Sequence, residues 1–559
     1  MPMPIFFKNK NIIFLSILFL FLVTRLSGLH LPYHQDERKY ATSVSVSDSN
    51  TPHPPISKAI MVSTAKIFGR DNFRVTPFLF SIANLLLLYY FVRFKYGIQA
   101  ALWAVFLFAV SYYSVLASLM VDIDGAILPF FLLLSLIGYY KWQDAHGRKA
   151  KITWGMALVV ALILGFLTKL SFIIVVGALI LDYLSQVLGA GNKKALFRYG
   201  VAAVGLLVFL GLILWGARAI FPSFNLARTL SHAQDYFHLT GRAYLQVLIQ
   251  SVKAVLYLSP LMILPLIFLT KERLAKLRLF FIFIFLGLIF YLVIFDFSRA
   301  ALDKYLTFLI LPLAVISGVI FNEIFGQEGR RGMHPGLLIG LAFVIIIFFS
   351  QFLQHFIPPL YPKEEWMGRI IKFKWNFVFP FTGGSGPVGF YVSWLFIGLS
   401  WIASAIFAIL ALIKKQQRSY FLTMVLALGF IYNLVFAEEY LFGRINGSPG
   451  VLLKNAVNFI EKNEKIKRVI SYNDIGGYEI AKIGKYERRL YAAPKFESSY
   501  IDILENFKGH YLVIDIPQFN PDSVYVNFFK TCKVIYNDAD KQISARVYDC
   551  KNSKSSYPL

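Results

Sequence analysis

The sequence predicts a polytopic α-helical membrane protein with a small α/β domain outside the membrane at its C-terminal end. Three observations carry this. Hydrophobic residues make up 57% of the chain and charged residues 16%, and the mean hydropathy is +0.60. Apolar runs near the ~20 residues that a helix needs to cross hydrocarbon recur along the chain. Beyond Ala437 the composition turns mixed and polar as far as Leu559.

The first span starts near Ile12 and extends through Leu29, preceded by Lys8 and Lys10. No small-residue cleavage site follows, so it reads as a retained helix with a cytoplasmic N-terminus. Later apolar runs centre near Leu86, Leu107, Leu132, Leu162, Val176, Leu207, Leu264, Phe285, Ile310, Ile346, Ala405 and Leu426, for a total of about thirteen spans. An odd number sends the C-terminus out. Loop charge supports that topology. The alternate loops carry Arg93 and Lys95; Lys141, Arg148, Lys149 and Lys151; Lys193, Lys194 and Arg198; Lys271, Arg273, Lys276 and Arg278; Arg330 and Arg331; Lys414, Lys415 and Arg418. All are basic, as cytoplasmic loops are. The pattern survives only if the apolar stretch around Thr168-Lys169-Leu170-Ser171 is two helices turning at Lys169.

The chain therefore divides into a transmembrane module over residues 1–437 and an extracytoplasmic α/β domain over residues 438–559. Within the first, the outward loops 30–75, 219–251 and 355–391 are long and rich in aromatic and basic residues, which places the chemistry on the outer face. In the last of them, Pro358-Pro359 and Gly383-Gly384-Ser385-Gly386 read as a lid or a connector. In the tail, a helical pattern over Val451 to Ile466 precedes strand-like runs at Arg468 to Tyr472, Tyr511 to Ile516, Lys533 to Tyr536 and Ser544 to Tyr548. Cys532 and Cys550, the chain's two cysteines, are too few for a metal cage. An oxidising compartment would permit a disulfide between them, whereas a cytoplasmic tail would keep two thiols. The net charge of +25 lies mostly in short loops, without a base-stacking motif, so nucleic acid is not an expected partner.

The polar interruption from Leu31 to Lys58 holds the adjacent carboxylates Asp36 and Glu37. Adjacent residues cannot both face one atom, so one addresses a substrate while the other supports it, or both cap a short helix in solvent. His53-Pro54-Pro55 runs into a helical pattern, with His53 and Lys58 able to meet an anion at its start. Asp122 and Asp124 share a very short outer turn, and Lys169 lies in the next one. Arg299, Asp303, Lys304 and Tyr305 sit at the outer mouth of a later span. Arg228, His232 and Arg242 in the second long loop are weaker candidates. Ionisable residues at membrane depth carry a functional expectation, although single lysines there are often anchors that reach back to the interface.

As a set these residues resemble the GT-C glycosyltransferases of the protein O-mannosyltransferase and aminoarabinose transferase superfamily. The resemblance rests on Asp36-Glu37-x-x-Tyr40-Ala41, His53-Pro54-Pro55-Ile56, Ile67-Phe68-Gly69-x-x-x-Phe73-Arg74, Asp124 at the start of a span, and Lys304-Tyr305 entering a span with Pro312. It covers about residues 10 to 325. It implies an inverting transfer of a sugar from a polyprenyl-phosphate donor to an acceptor hydroxyl or phosphate, on a glycolipid or a protein, at the outer face of a cell membrane. Asp36 matches the catalytic aspartate and Glu37 supports it. A departing lipid phosphate can be met by His53, Lys58, Arg299, Lys304 and Tyr305, with Asp122, Asp124, Lys169 and Arg242 supporting. No cofactor is required on that reading, and a divalent metal is left open. The alternatives are a lipid-linked sugar flippase or transporter, which would favour broken helices and internal repeats, and a non-catalytic scaffold working through its tail.

Overall fold

The computed structural model describes residues 10–34, 36–43, 53–189, 193–237, 241–296, 302–327, 337–354, 356–381, 389–491 and 494–552. Lys8, Arg299, Arg330, Arg331, Gly383, Gly384, Ser385 and Gly386 lie outside the described residues. Helices come in the order α1 (Lys10–Leu26), α2 (Asp36–Ser43), α3 (Pro55–Phe68), α4 (Val75–Tyr96), α5 (Ile98–Val110), α6 (Tyr112–Leu119), α7 (Ile127–Gln143), α8 (Arg148–Phe166), α9 (Ile173–Gly189), α10 (Lys193–Ile220), α11 (Leu226–Gln234), α12 (Tyr244–Ile263), α13 (Lys271–Lys276), α14 (Arg278–Leu288), α15 (Leu302–Tyr305) and α16 (Ile310–Gln327). There follow α17 (Leu337–Phe349), α18 (Glu364–Ile371), β1 (Val378–Phe381), β2 (Phe390–Ser393), α19 (Trp394–Ile413), α20 (Arg418–Leu441), α21 (Pro449–Lys462), β3 (Val469–Tyr472), α22 (Gly477–Lys482), β4 (Tyr486–Leu490), α23 (Pro494–Asn506), β5 (His510–Ile514), α24 (Val524–Lys530), β6 (Lys533–Asp540) and β7 (Ile543–Asp549).

The apolar segments expected from the sequence are helical throughout, which makes this a multi-pass membrane protein. Among the described residues, eight helices are long and apolar enough to cross a bilayer, and α5 with α6 forms a ninth, bent by 67°. The expected count of about thirteen rests on four shorter ones: α1 and α7, of 17 residues each, Arg278–Ile294 and Gly340–Phe352. The stretch around Lys169 does divide: α8 ends at Phe166, Lys169 is extended (φ −157°, ψ 138°), and a new span begins at Leu170.

Contacts divide the chain into two units. The first comprises Met1–Leu29, Ser43–Met333 and Ala411–Ser419; the second comprises His30–Thr42, His334–Leu410 and Tyr420–Leu559. In the first, the break between α5 and α6 falls at Ser111, which is extended (φ −60°, ψ 124°). Breaking a helix strips carbonyls of their partners, and a buried cation replaces them. Arg25 of α1 donates from Nη1 to the Ala109 carbonyl at 2.6 Å and from Nη2 to Ser114 Oγ at 3.0 Å. At the far end of α6, the buried Arg74 donates to the Leu119 carbonyl at 2.6 Å. The chain then turns sharply. A Cβ on Gly125 would stand 2.6 Å from the Ala117 carbonyl oxygen, so only glycine permits the close return of residues 120–126 onto α6.

The second unit holds a five-stranded sheet of order β4-β3-β5-β7-β6, with β3 parallel to β4 and β5, and β7 antiparallel to β5 and β6. Successive side chains point to opposite faces, and both faces are covered. Val469, Leu512, Ile514 and Val547 pack with Leu453, Ala456 and Ile460 of α21 on one side. Ile470, Tyr472, Tyr511 and Val513 pack with Tyr525 and Phe529 of α24 on the other. Four strands lie where the sequence pattern puts them. The fifth, β4, was not expected, because Tyr-Glu-Arg-Arg-Leu shows no apolar alternation. It is an edge strand, where charge is the usual protection against further pairing. The hairpin of β1 and β2, also unexpected, arises within the loop 355–391 and packs on the sheet through Val378 and Tyr391, whose hydroxyl donates to the Asp515 carbonyl at 3.2 Å. Cys532 and Cys550 are joined in a disulfide.

Candidate active site

In the first unit, three segments converge. Pro55 opens α3 with its φ already set and no N–H to satisfy, and Pro54 and His53 are delivered just ahead of it. Ile56 N–H donates to the Leu167 carbonyl at 3.0 Å and ties this start to the turn that carries Lys169. The loop after α6 is pinned by Asp122 N–H to the Met120 carbonyl (2.8 Å), by Leu128 N–H to the Ile123 carbonyl (3.0 Å), and by Asn84 Nδ2 to the Ala126 carbonyl (2.8 Å). The third segment is α15.

These elements bring four of the expected charged side chains into two ion pairs whose aspartates are buried. Lys304 Nζ lies 2.5 Å from Asp122 Oδ2, and Lys169 pairs with Asp124. The Tyr305 ring lies beside both ammonium groups, its centroid 4.8 Å from Lys169 Nζ and 5.2 Å from Lys304 Nζ. Burial opposes ionisation of Asp122, yet Lys304 and then Lys169 hold its carboxyl well below the usual range. Burial pushes Asp124 upward, and the Asp122 charge adds to it. Burial also raises the Tyr305 phenol, which stays protonated. His53 meets the His232 ring edge-on at 5.8 Å. Desolvation, with Lys169 next in weight, pushes His53 down to about 3, so it is a neutral imidazole at physiological pH.

Lys58 is buried in the first turns of α3. Arg242 does different work: it donates from Nη1 to the Leu292 carbonyl at 2.7 Å and from Nη2 to the Val293 and Ile294 carbonyls, holding the end of a π-helical turn over Ile289–Ile294. Arg228 donates its backbone N–H to Asn225 Oδ1, which caps α11. A cavity walled by Leu128, Phe172, Phe283 and Phe308 is edged by Asp124, Tyr291 and Tyr305. Tyr291, stacked on Tyr305 at 5.7 Å, was not singled out by the sequence; the π turn that aims it has no residue signature.

The carboxylates expected to do chemistry belong to the second unit. Asp36 opens α2, about one third exposed, with Oδ1 2.6 Å from Lys39 Nζ. Glu37 is buried, and its Oε2 accepts the His34 backbone N–H at 3.2 Å. The two carboxyls thus have separate surroundings, one open and one enclosed. Sequence reasoning missed Asn473, Asp474 and Tyr486, which surround Arg38 and His34 of the same segment; the available signal was the turn composition of Asn473-Asp474-x-Gly476-Gly477 after a strand. Among the described residues, no three His, Cys, Asp or Glu side chains are grouped to hold a metal ion.

Comparison with known proteins bears on the fold. The chain is similar to ArnT from Cupriavidus metallidurans in the apo state, with 12% sequence identity over 98% of this chain and 99% of that one and a TM-score of 0.56. It is also similar to the same protein bound to undecaprenyl phosphate, at 13% identity, the same coverage and a TM-score of 0.53. The chain has the fold of ArnT. Residues 52–215 match the family model described as dolichyl-phosphate-mannose-protein mannosyltransferase, a segment that includes His53, Lys58, Asp122, Asp124 and Lys169. No curated protein sequence matches the chain.

Proposed function

We propose that this protein is an inverting glycosyltransferase of the GT-C type that moves a sugar from a polyprenyl-phosphate carrier to a hydroxyl or phosphate acceptor, glycolipid or protein, on the outer face of a cell membrane. The observation that carries the reading is the pair of lysines, Lys169 and Lys304, each held by a buried aspartate, with Asp124 and Tyr305 also edging an apolar cavity. A lipid phosphate has that chemistry: an anionic head on a hydrocarbon tail. ArnT, which shares the fold, has been seen with undecaprenyl phosphate.

On this reading the acceptor oxygen attacks the anomeric carbon from the face opposite the carrier. The bond from that carbon to the phosphate oxygen breaks, and the polyprenyl phosphate leaves with the electron pair. The acceptor proton goes to Asp36, whose partly exposed carboxylate stands at the start of α2. Glu37 fixes the turn before α2. Lys304 and Lys169 turn ammonium protons from their aspartates onto the leaving phosphate, and charge that is already in place costs no reorganisation when the anion develops. Tyr305, protonated, and His53, neutral, contribute hydrogen bonds rather than charge. Lys58, in the first turns of α3, completes the donor side, and Arg242 shapes the π turn beside it.

The outer-face assignment is supported by the basic loops and by the Cys532–Cys550 disulfide, which is typical of an oxidising compartment. The test is mass spectrometry of glycolipids and glycoproteins from a deletion strain. Loss of one sugar modification, with its polyprenyl-phosphate donor accumulating, is expected, and an unchanged glycan profile would contradict the reading.

A further inference from the structure

The segment bearing Asp36 is gripped by the α/β domain on both sides of that residue. His34 Nε2 lies 2.9 Å from the Asn473 carbonyl oxygen. Arg38 donates to Asp474 Oδ1 at 2.9 Å, and its guanidinium lies over the Tyr486 ring at 3.7 Å. Tyr33 packs edge-on against Tyr478 at 4.9 Å. All of these groups belong to the second unit.

The gripping loop is specialised. Asn473 and Asp474 both sit in the left-handed region, at φ 54° and 61°, where asparagine and aspartate are the non-glycine residues most readily accepted. This conformation turns the Asp474 carboxylate inward. It is fully buried and receives Arg38, Arg489 (3.4 Å) and the Tyr486 hydroxyl (2.8 Å). Arg489 in turn lies over Tyr491, 4.9 Å from the ring centroid, and Tyr491 is within electrostatic reach of Asp36. A helix of eight residues such as α2 is too short to hold itself in water. Something outside it must fix the direction of its first carboxylate.

We propose that Asp474, through its ion pair with Arg38, is a positioning residue for Asp36, so that the C-terminal α/β domain is a working part of the transferase rather than an appendage. The inference rests on the reading of Asp36 as the base. General-base catalysis depends on placement to a fraction of an ångström, and a small displacement of the base lowers turnover more than it lowers substrate binding.

The test uses the full chain in lipid nanodiscs, with turnover read as release of undecaprenyl phosphate from a panel of undecaprenyl-phosphate-linked pentoses and hexoses. Asp474→Asn, Asp474→Glu, Arg38→Gln and Asp36→Asn are compared with the wild type. Arg38→Gln lies outside the α/β domain and leaves Asp474 with Arg489 and Tyr486, so it remains informative if Asp474→Asn fails to fold. The expected result is a kcat lowered about 10- to 100-fold in Asp474→Asn and Arg38→Gln, with the donor KM within about twofold. Asp474→Glu recovers part of the loss, and the double variant Arg38→Gln/Asp474→Asn is no worse than either single one. A wild-type kcat in Arg38→Gln alongside an inactive Asp36→Asn would overturn the positioning role while leaving the catalytic reading intact. A wild-type kcat in Asp36→Asn would instead remove the base, and the positioning role with it.

Discussion

His53 stands against Lys169 and Lys304, and its protonation there is opposed by desolvation and by both ammonium groups. The unfolded chain binds a proton at this residue below about 6.5, whereas the folded protein does not until about 3. Between those values the unfolded state holds more protons, so stability rises with pH: this contribution is complete above about 6.5 and is lost as the solution is acidified. Thermal melts across that range should show His53→Gln losing less stability on acidification than the wild type. The ion pairs give a second result at this scale. Lys304→Ala leaves Asp122 buried without its closest cation, at a cost of about 3–5 kcal/mol. The double variant Asp122→Leu/Lys304→Met should recover most of that stability yet remain inactive, because the stability belongs to pairing and the activity to the cation. Recovery of transfer in the double variant would remove Lys304 from the mechanism. Asp122, Asp124, Lys169 and Lys304 were legible as ionisable groups at outer turns, but which lysine meets which aspartate was not, since the partners lie 45 and 182 residues apart in sequence.

At the scale of elements, the turn over residues 120–126 is the component most sensitive to shape. Gly125→Ala sets a methyl against backbone atoms of Ala117 at 2.6 and 2.9 Å, and backbone cannot yield as a flexible side chain can. The variant should fold less stably by about 1–3 kcal/mol and lose transfer, because the same turn carries Asp122 and Asp124. Normal activity in a melt-shifted Gly125→Ala would show that the aspartates do not need this turn. The division at Lys169 was legible because one long helix would have reversed the charge pattern of every later loop. The bend at Ser111 was not. No proline or glycine marks it, and the donor that satisfies its freed carbonyls is Arg25, in another helix. The edge strand β4 and the hairpin of β1 and β2 escaped for a related reason, as their pairing is decided by distant partners rather than by their own periodicity.

For the whole molecule, composition and loop charge were enough for the class, since hydrocarbon thickness dictates helix length whatever the detail. Contacts group the chain in a way that sequence order conceals. Residues His30–Thr42 fall in the same unit as the C-terminal α/β domain. Sequence reading chose Asp36 by resemblance and could not see that grouping, because the grip comes from Asn473 and Asp474, more than 430 residues away. The central claim is that Asp36 takes the acceptor proton. Its most direct test is turnover of purified Asp36→Asn, an isosteric change that removes the base without emptying space, in parallel with a measurement of undecaprenyl phosphate binding. The account predicts a kcat lower by about 10²- to 10⁴-fold with carrier binding retained, and turnover at the wild-type rate would contradict it.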